Sequence, residues 1–194
     1  MQQPIVGILL AGGKSSRFGS PKMFAEHNGK AFYHHSLDAI TPFVKHVYMV
    51  TQPHYVDQIK SAEADVSILI DLPSIKEKGP LAGIYSAMQE NRSTWYLVIP
   101  TDVPFMTEAT IHLIVKEIQP GYQAIIPSCK GRLQPLVGVY HATVAPLIEE
   151  MLQAGDYAVY QLLQKLKVKT VEVEDEEPFY NLNYQRDYDY LIKK

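Results

Sequence analysis

Two textures of hydrophobic residue alternate along this chain. Short β-rich apolar runs occupy Ile5 to Leu10, His46 to Thr51, Val66 to Ile70, Trp95 to Ile99, Gln123 to Ile126 and Val137 to Tyr140. Runs of this length with no polar alternation predict strands buried on both faces. Between them, apolar residues recur three and four positions apart, at Leu81, Ile84 and Met88, then at Ile111, Ile114, Val115 and Ile118, then at Val144, Leu147, Ile148, Met151 and Leu152. That spacing predicts helices that each lay one apolar stripe on a sheet. Strands and helices alternating in this way predict right-handed βαβ crossovers and a mostly parallel sheet covered on both sides. The expected fold class is α/β, a single three-layer domain over residues 1–194, with no repeat or linker dividing it.

Three local features refine this picture. Asn28-Gly29, between Phe24-Ala25 and Ala31-Phe32, is a turn signal that closes either a small hairpin or a plain loop. The acidic stretch Glu172, Glu174, Asp175, Glu176 and Glu177, followed by Pro178, predicts a solvated edge strand running into a loop. A last helix is expected over residues 185–192.

Composition narrows the function. With 46% hydrophobic and 20% charged residues, the chain has the apolar stock of a globular protein. A chain of this length can bury roughly 70% of its unfolded surface without covalent staples. The single cysteine, Cys129, allows no intramolecular disulfide and no cysteine-rich zinc site, which agrees with a reducing cytoplasm and with a structural rather than reactive thiol. Eighteen Lys and Arg against 21 Asp and Glu give a net charge of −3, which excludes a broad grip on nucleic acid. No apolar run near the start approaches the ~20 residues that span a bilayer, so no membrane association is expected. The histidines, His34-His35 and the scattered His46, His54, His112 and His141, have no metal-ligand spacing and are expected at the surface or the edge of the core.

Any anion must then be bound locally, and the loop after the first strand is built for one. Leu10-Ala11-Gly12-Gly13-Lys14-Ser15-Ser16-Arg17-Phe18-Gly19-Ser20-Pro21-Lys22 carries three glycines, three serines, two lysines and an arginine. Glycines let backbone N–H groups close on phosphate oxygens, while Arg17 and Lys22 supply charge. A P-loop is excluded by spacing, because Ile8 stands where its first glycine is required. A Rossmann dinucleotide fingerprint is excluded because Lys14 stands at its second glycine.

The whole stretch resembles the signature of the nucleotidyltransferases that activate sugars and cofactors, L-A-G-G-x-S-x-R-M-G-x-[DP]-K. Leu10, Ala11, Gly12, Gly13, Ser15, Arg17, Gly19 and Lys22 match it, and Phe18 replaces the methionine. Lys78-Gly79-Pro80-Leu81-Ala82-Gly83 resembles the family's G-P-L-A-G loop, and Thr101-Asp102-Val103-Pro104-Phe105 resembles its metal-site segment. Among the branches, this chain is most similar to the molybdenum cofactor guanylyltransferases (MobA-like), through its length, Arg132-Leu133-Gln134-Pro135-Leu136-Val137 leading to Tyr140, and Asn181-Leu182-Asn183. Pro21 stands where that branch often has aspartate, and Tyr184-Gln185 replaces a usual Thr-Pro after the asparagines. Pro21 therefore leaves a cytidylyl- or sugar-phosphate-activating relative open. A non-catalytic nucleotide-binding regulatory protein is the alternative outside the enzyme class.

The resemblance implies a Rossmann-like domain of the nucleotide-diphospho-sugar transferase type, GTP as donor, Mo-molybdopterin as acceptor and Mg²⁺ as cofactor. It also implies contacts with other cofactor-biosynthesis proteins or recipient molybdoenzymes. Arg17, Lys22 and Asp102 are the candidate catalytic residues. Asp102, at the end of an apolar strand, is the candidate metal ligand, since Mg²⁺ is commonly held by one or two carboxylates plus substrate phosphates. The candidate binding residues are Leu10, Ala11, Gly12, Gly13, Lys22, Asp71, Gly79, Pro80, Gly83, Asp102, Asn181 and Asn183. The last two alternate, so in extended chain both amides face one side and can serve a pterin or phosphate acceptor.

Overall fold

The fold is organised by its first strand. In a computed structural model that describes residues 4–12, 22–62 and 66–181, β1 (Ile5–Leu10) pairs in parallel with β4 (Val47–Val50) on one edge and with β6 (Trp95–Pro100) on the other. Strand β5 (Ser67–Leu69) continues the sheet beyond β4. On the other side, β9 (Gly138–His141) runs antiparallel to both β6 and β7 (Ala124–Cys129), and β10 (Val168–Glu172) closes the edge in parallel with β7. The order is β10-β7-β9-β6-β1-β4-β5, with the two-residue β8 (Arg132–Leu133) attached to β7. The sheet is therefore mostly parallel, and β9 is the reversal that the apolar pattern could not reveal.

Alternation along β1 and β6 sorts the core into two layers. Val6, Ile8, Tyr96 and Val98 face α3 (Pro80–Glu90), α5 (Ala145–Gln153) and α6 (Val159–Gln164). Ile5, Leu9, Trp95, Leu97 and Ile99 face α1 (Phe32–Ile40), α2 (Val56–Ala62) and α4 (Glu108–Val115). Every residue of β6 is buried, which explains why its sequence is continuously apolar.

The remaining expectations meet local physics. Asn28 and Gly29 have φ of 52° and 72°, the left-handed pair of a tight hairpin turn, and join β2 (Glu26–His27) to β3 (Lys30–Ala31). The apolar stripe of α4 reaches Ile118, but the helix stops at Val115. Its chain tightens through Glu117 N–H to Ile114 and Ile118 N–H to Val115, ahead of Pro120 and a left-handed Gly121. The acidic stretch is not itself the edge strand: β10 ends at Glu172, and the other acids follow it. The expected helix over 185–192 lies outside the described residues. His35 sits on α1 with Nε2 2.9 Å from the His27 carbonyl, so it ties the hairpin down rather than binding a metal. No cluster of three metal-ligating side chains occurs among the described residues, and none of their helices is long and apolar enough to cross a membrane.

Strand β9 approaches β7 so closely that a Cβ on Gly138 would lie 2.8 Å from the Ile125 carbonyl oxygen and 2.7 Å from Ile126 Cδ1. Because one of those atoms is backbone, the sheet itself must shift to admit a methyl group. Gly138→Ala is expected to lower unfolding free energy by about 1–3 kcal/mol in urea denaturation, and an unchanged midpoint would show that β9 has room to spare.

Candidate active site

In an open parallel sheet, the crevice lies beyond the carboxyl ends of the strands where the order reverses direction. Here the chain passes from β1 outward to β4 and β5, then returns to β6 on the opposite side of β1. The cleft of about 460 Å³ lies at that point, within the range of small-molecule sites. It collects Leu10, Ala11 and Gly12 from β1, Val50, Thr51 and Gln52 from β4, and Pro100, Thr101 and Asp102 from β6.

Hydrogen bonds fasten these strand ends to one another. Ala11 N–H donates to the Val50 carbonyl at 2.8 Å, and Thr101 N–H to the Leu10 carbonyl at 3.1 Å. The Gln52 amide donates to the Gly12 carbonyl at 3.1 Å, so the start of the glycine loop is held by the neighbouring strand's exit. Buried Ser36 on α1 donates to the Pro100 carbonyl at 2.9 Å, anchoring the approach to Asp102.

Lys22 opens a 3-10 turn over Lys22–Phe24 whose next residue, Met23, is buried in the core, so the backbone carrying the ammonium is pinned. Its Nζ lies 3.6 Å from Asp102 Oδ2, a contact between two mostly enclosed side chains. The other carboxylate oxygen, Oδ1, is buried with no hydrogen-bond partner among the described residues, and so is the hydroxyl of Thr51. Leaving buried polar atoms unmatched costs free energy, so two such oxygens in one cleft mark a place where a ligand's polar groups would be stabilised. An acidic oxygen facing a cleft that lacks a closed protein cage among the described residues suits a hard cation shared with phosphates.

The other wall comes from the chain between β5 and α3. Asp71 follows β5 by two residues, and its Oδ2 accepts the Glu77 N–H at 3.3 Å. Burial outweighs that bond and pushes the Asp71 carboxyl above its ordinary range. Gly79 adopts φ +76°, a conformation that favours glycine, and turns the chain into Pro80, whose missing N–H costs nothing at a first helical position. The positive end of the α3 dipole thus opens on the cleft. Gly83 does a second job: a Cβ there would lie 3.0 Å from Leu10 Cδ2 and 3.3 Å from Val50 Cγ1, so its bareness lets α3 sit close on β1 and β4.

Ten of the residues singled out from the sequence meet in this one cleft: Leu10, Ala11, Gly12, Lys22, Asp71, Gly79, Pro80, Gly83, Asp102 and Asn181. Gly13, Arg17 and Asn183 lie outside the described residues. Sequence reasoning missed Thr51, Gln52, Tyr55, Glu77 and Leu136, which also line it. The signal available for Thr51 and Gln52 was their place just past a buried strand; that this strand neighbours β1 is a tertiary fact.

Comparison with known proteins agrees with this geometry. The family model of the MobA-like NTP transferase domain matches residues 7–171. A Geobacillus protein called probable molybdenum cofactor guanylyltransferase is 36% identical over 192 residues, covering 97% of this chain and 98% of its own. A relative of the same name from Halalkalibacterium halodurans is 34% identical over 190 residues, with 94% of each chain covered. Among solved structures, molybdopterin-guanine dinucleotide biosynthesis protein A from Archaeoglobus fulgidus superposes with a TM-score of 0.81 at 23% identity, over 97% of both chains. A Mycobacterium tuberculosis protein solved in complex with manganese superposes with a TM-score of 0.76 at 16% identity, over 98% of this chain and 99% of its own. With a family match through most of its length and relatives above 30% identity along nearly all of it, the chain belongs to the MobA-like NTP transferase family.

Proposed function

We propose that this protein is a molybdenum cofactor guanylyltransferase, which transfers GMP from GTP to the terminal phosphate of Mo-molybdopterin and releases pyrophosphate. The observation that carries the reading is the pairing of Lys22 with Asp102 in a cleft where Asp102 Oδ1 and Thr51 Oγ1 have no partner among the described residues. The names of the relatives over nearly the full chain support the substrate pair.

The acceptor oxygen is an anionic phosphate, so the reaction needs no general base. The bond that forms joins it to the α-phosphorus, and the bond that breaks frees pyrophosphate with its electron pair. What the protein must supply is alignment and positive charge. Lys22 is placed to meet charge growing on the phosphates, and its pinned backbone keeps that charge in position before substrate arrives. Leu10 to Gly12 offer backbone at the switch point, and Arg17 is proposed to add a second cation from the loop. Gly79 and Pro80 form the wall against which the base would lie, and Asp71 faces it as an acceptor for donor groups of guanine or ribose. Asp102 would hold a divalent cation, for which we favour Mg²⁺. When bound, such an ion neutralises phosphate charge and orients the leaving group.

Four outcomes test the reading. Mixing GTP, Mg²⁺ and Mo-molybdopterin is expected to release pyrophosphate, and a panel with CTP, ATP and UTP to show preference for GTP; equal use of CTP would reassign the base. Asp102→Asn should abolish transfer while leaving the melting temperature close to that of the parent, whereas Lys22→Ala should lower kcat by about 10²-fold with a smaller change in KM.

Replacing Asn181 and Asn183 together by alanine is expected to weaken the acceptor by roughly tenfold to a thousandfold and to spare GTP. Separate titrations with GTP and with the pterin check this, and equal losses for both would move the pair out of the acceptor half.

Asp71 carries a stability signature of its own. A carboxyl raised by burial binds its proton more tightly in the folded state. Stability therefore falls as pH climbs from the unfolded value through the raised folded one, and the penalty persists above it. Asp71→Asn is expected to melt higher than the parent at pH 7, with the gap closing toward pH 3, while nucleotide affinity drops. A gap that stays constant with pH would show that the carboxylate is not the cause.

A further inference from the structure

The molecule has a second large cavity, about 720 Å³, at the opposite end of the sheet. It is lined by Ile5 and Trp95, the first residues of β1 and β6, so it lies about 16 Å along the strands from the front cleft. The floor is apolar: Ile5, Trp95 and Val115 are buried, and the His141 ring stands edge-on to Trp95 with centroids 4.7 Å apart.

The rim is basic. Lys116 and Lys167 line the cavity, no lining residue is acidic, and neither lysine is ion-paired among the described residues. Lys167 is held rather than loose: its Nζ sits 5.3 Å over the Tyr122 ring, and its own N–H donates to Gln123 Oε1 at 3.2 Å. Glu117, next along the chain from Lys116, is ion-paired with Lys169 at 2.6 Å and acts on Lys116 only as a weaker, longer-range charge. His141 Nδ1 accepts the Thr143 N–H at 3.3 Å, which leaves the neutral ring's proton on Nε2 as a donor.

Two unpaired ammonium groups at the mouth of an aromatic-floored cavity fit one ligand chemistry. We propose that this rear cavity is a binding site for a small aromatic anion, whose ring enters the space lined by Ile5, Trp95 and Val115 and whose phosphate or carboxylate is held by Lys116 and Lys167. The site is separate from the front cleft and shares no residue with it.

Trp95 is the chain's single tryptophan, so its emission reports on this cavity directly. Titrating the full chain with phenyl phosphate, and separately with benzoate, is expected to give a saturable change in that emission. Phenol alone and inorganic phosphate alone should bind roughly tenfold more weakly or worse, because each offers only one half of the chemistry. Comparing phenyl phosphate with benzoate tells which anionic group the rim prefers. Lys116→Gln with Lys167→Gln should weaken phenyl phosphate by about tenfold or more, and Lys167→Gln alone by less, with melting temperatures falling only slightly because both side chains are exposed and give up only surface interactions. Lys22→Ala, in the front cleft, should leave the titration as it was. The proposal is overturned by the absence of a saturable change, by phenol or phosphate matching phenyl phosphate, by the double variant binding as the parent does, or by loss of the signal in Lys22→Ala.

Discussion

Strand β1 must satisfy its backbone hydrogen bonds on both edges while burying both faces, and the rest of the molecule follows from that requirement. Parallel partners on each side force the chain to leave β1 in one direction and return from the other. The helices that make those crossovers cannot cover the end of β1 where the directions part. A crevice therefore opens there regardless of what lines it. The hydrogen bonds from Ala11 and Thr101 to Val50 and Leu10 extend the sheet's regularity one residue beyond the strands and so fix the crevice walls.

Charge in the front cleft is arranged with little reserve. The Lys22–Asp102 contact engages one carboxylate oxygen at 3.6 Å and leaves the other buried and unmatched. Asp71, half-buried, has among the described residues only the Glu77 backbone N–H at 3.3 Å to hold its charge. Each is a cost in the free protein that a ligand bringing phosphates, a cation and base donors would remove. Such a site trades stability for affinity: the groups whose burial costs free energy are those positioned to interact with a ligand.

The two ends of the sheet show contrasting solutions to holding an anion. In front, the described cation shares its cleft with the acidic residues Asp71, Glu77 and Asp102, as expected where a metal and phosphates must be balanced. At the rear, the charges of Lys116 and Lys167 stand over an apolar floor without acidic neighbours in the lining. Helix α4 contributes to that difference by ending at Val115 with Lys116 as its C-cap, which puts a cationic residue at the negative end of the helix.

How much of this was legible beforehand depends on the range of the interaction involved. Continuous burial made β1 and β6 readable, because a strand covered on both faces has no polar alternation, and Ile5–Leu10 was recovered to the residue. The Asn28-Gly29 hairpin was readable because left-handed φ angles are a local requirement. Leu10 to Gly12, Lys22, Asp71 and Asp102 were readable as motif residues near strand ends, and the structure gathers them in one cleft. Three things were not. Strand β9 runs antiparallel because of how it pairs with β6 and β7, and an apolar run carries no direction. Thr51 and Gln52 belong to the site only because β4 lies beside β1, a matter of strand order. The rear cavity joins Ile5, Trp95, Lys116, His141 and Lys167, residues separated by most of the chain. Local conformation and burial are written into neighbouring residues, so the sequence alone determined the elements and which residues to expect at the strand ends of the front cleft. Which elements lie side by side is settled by long-range packing, and only the tertiary structure decided the direction of β9, the full lining of the front cleft and the existence of the cavity behind it.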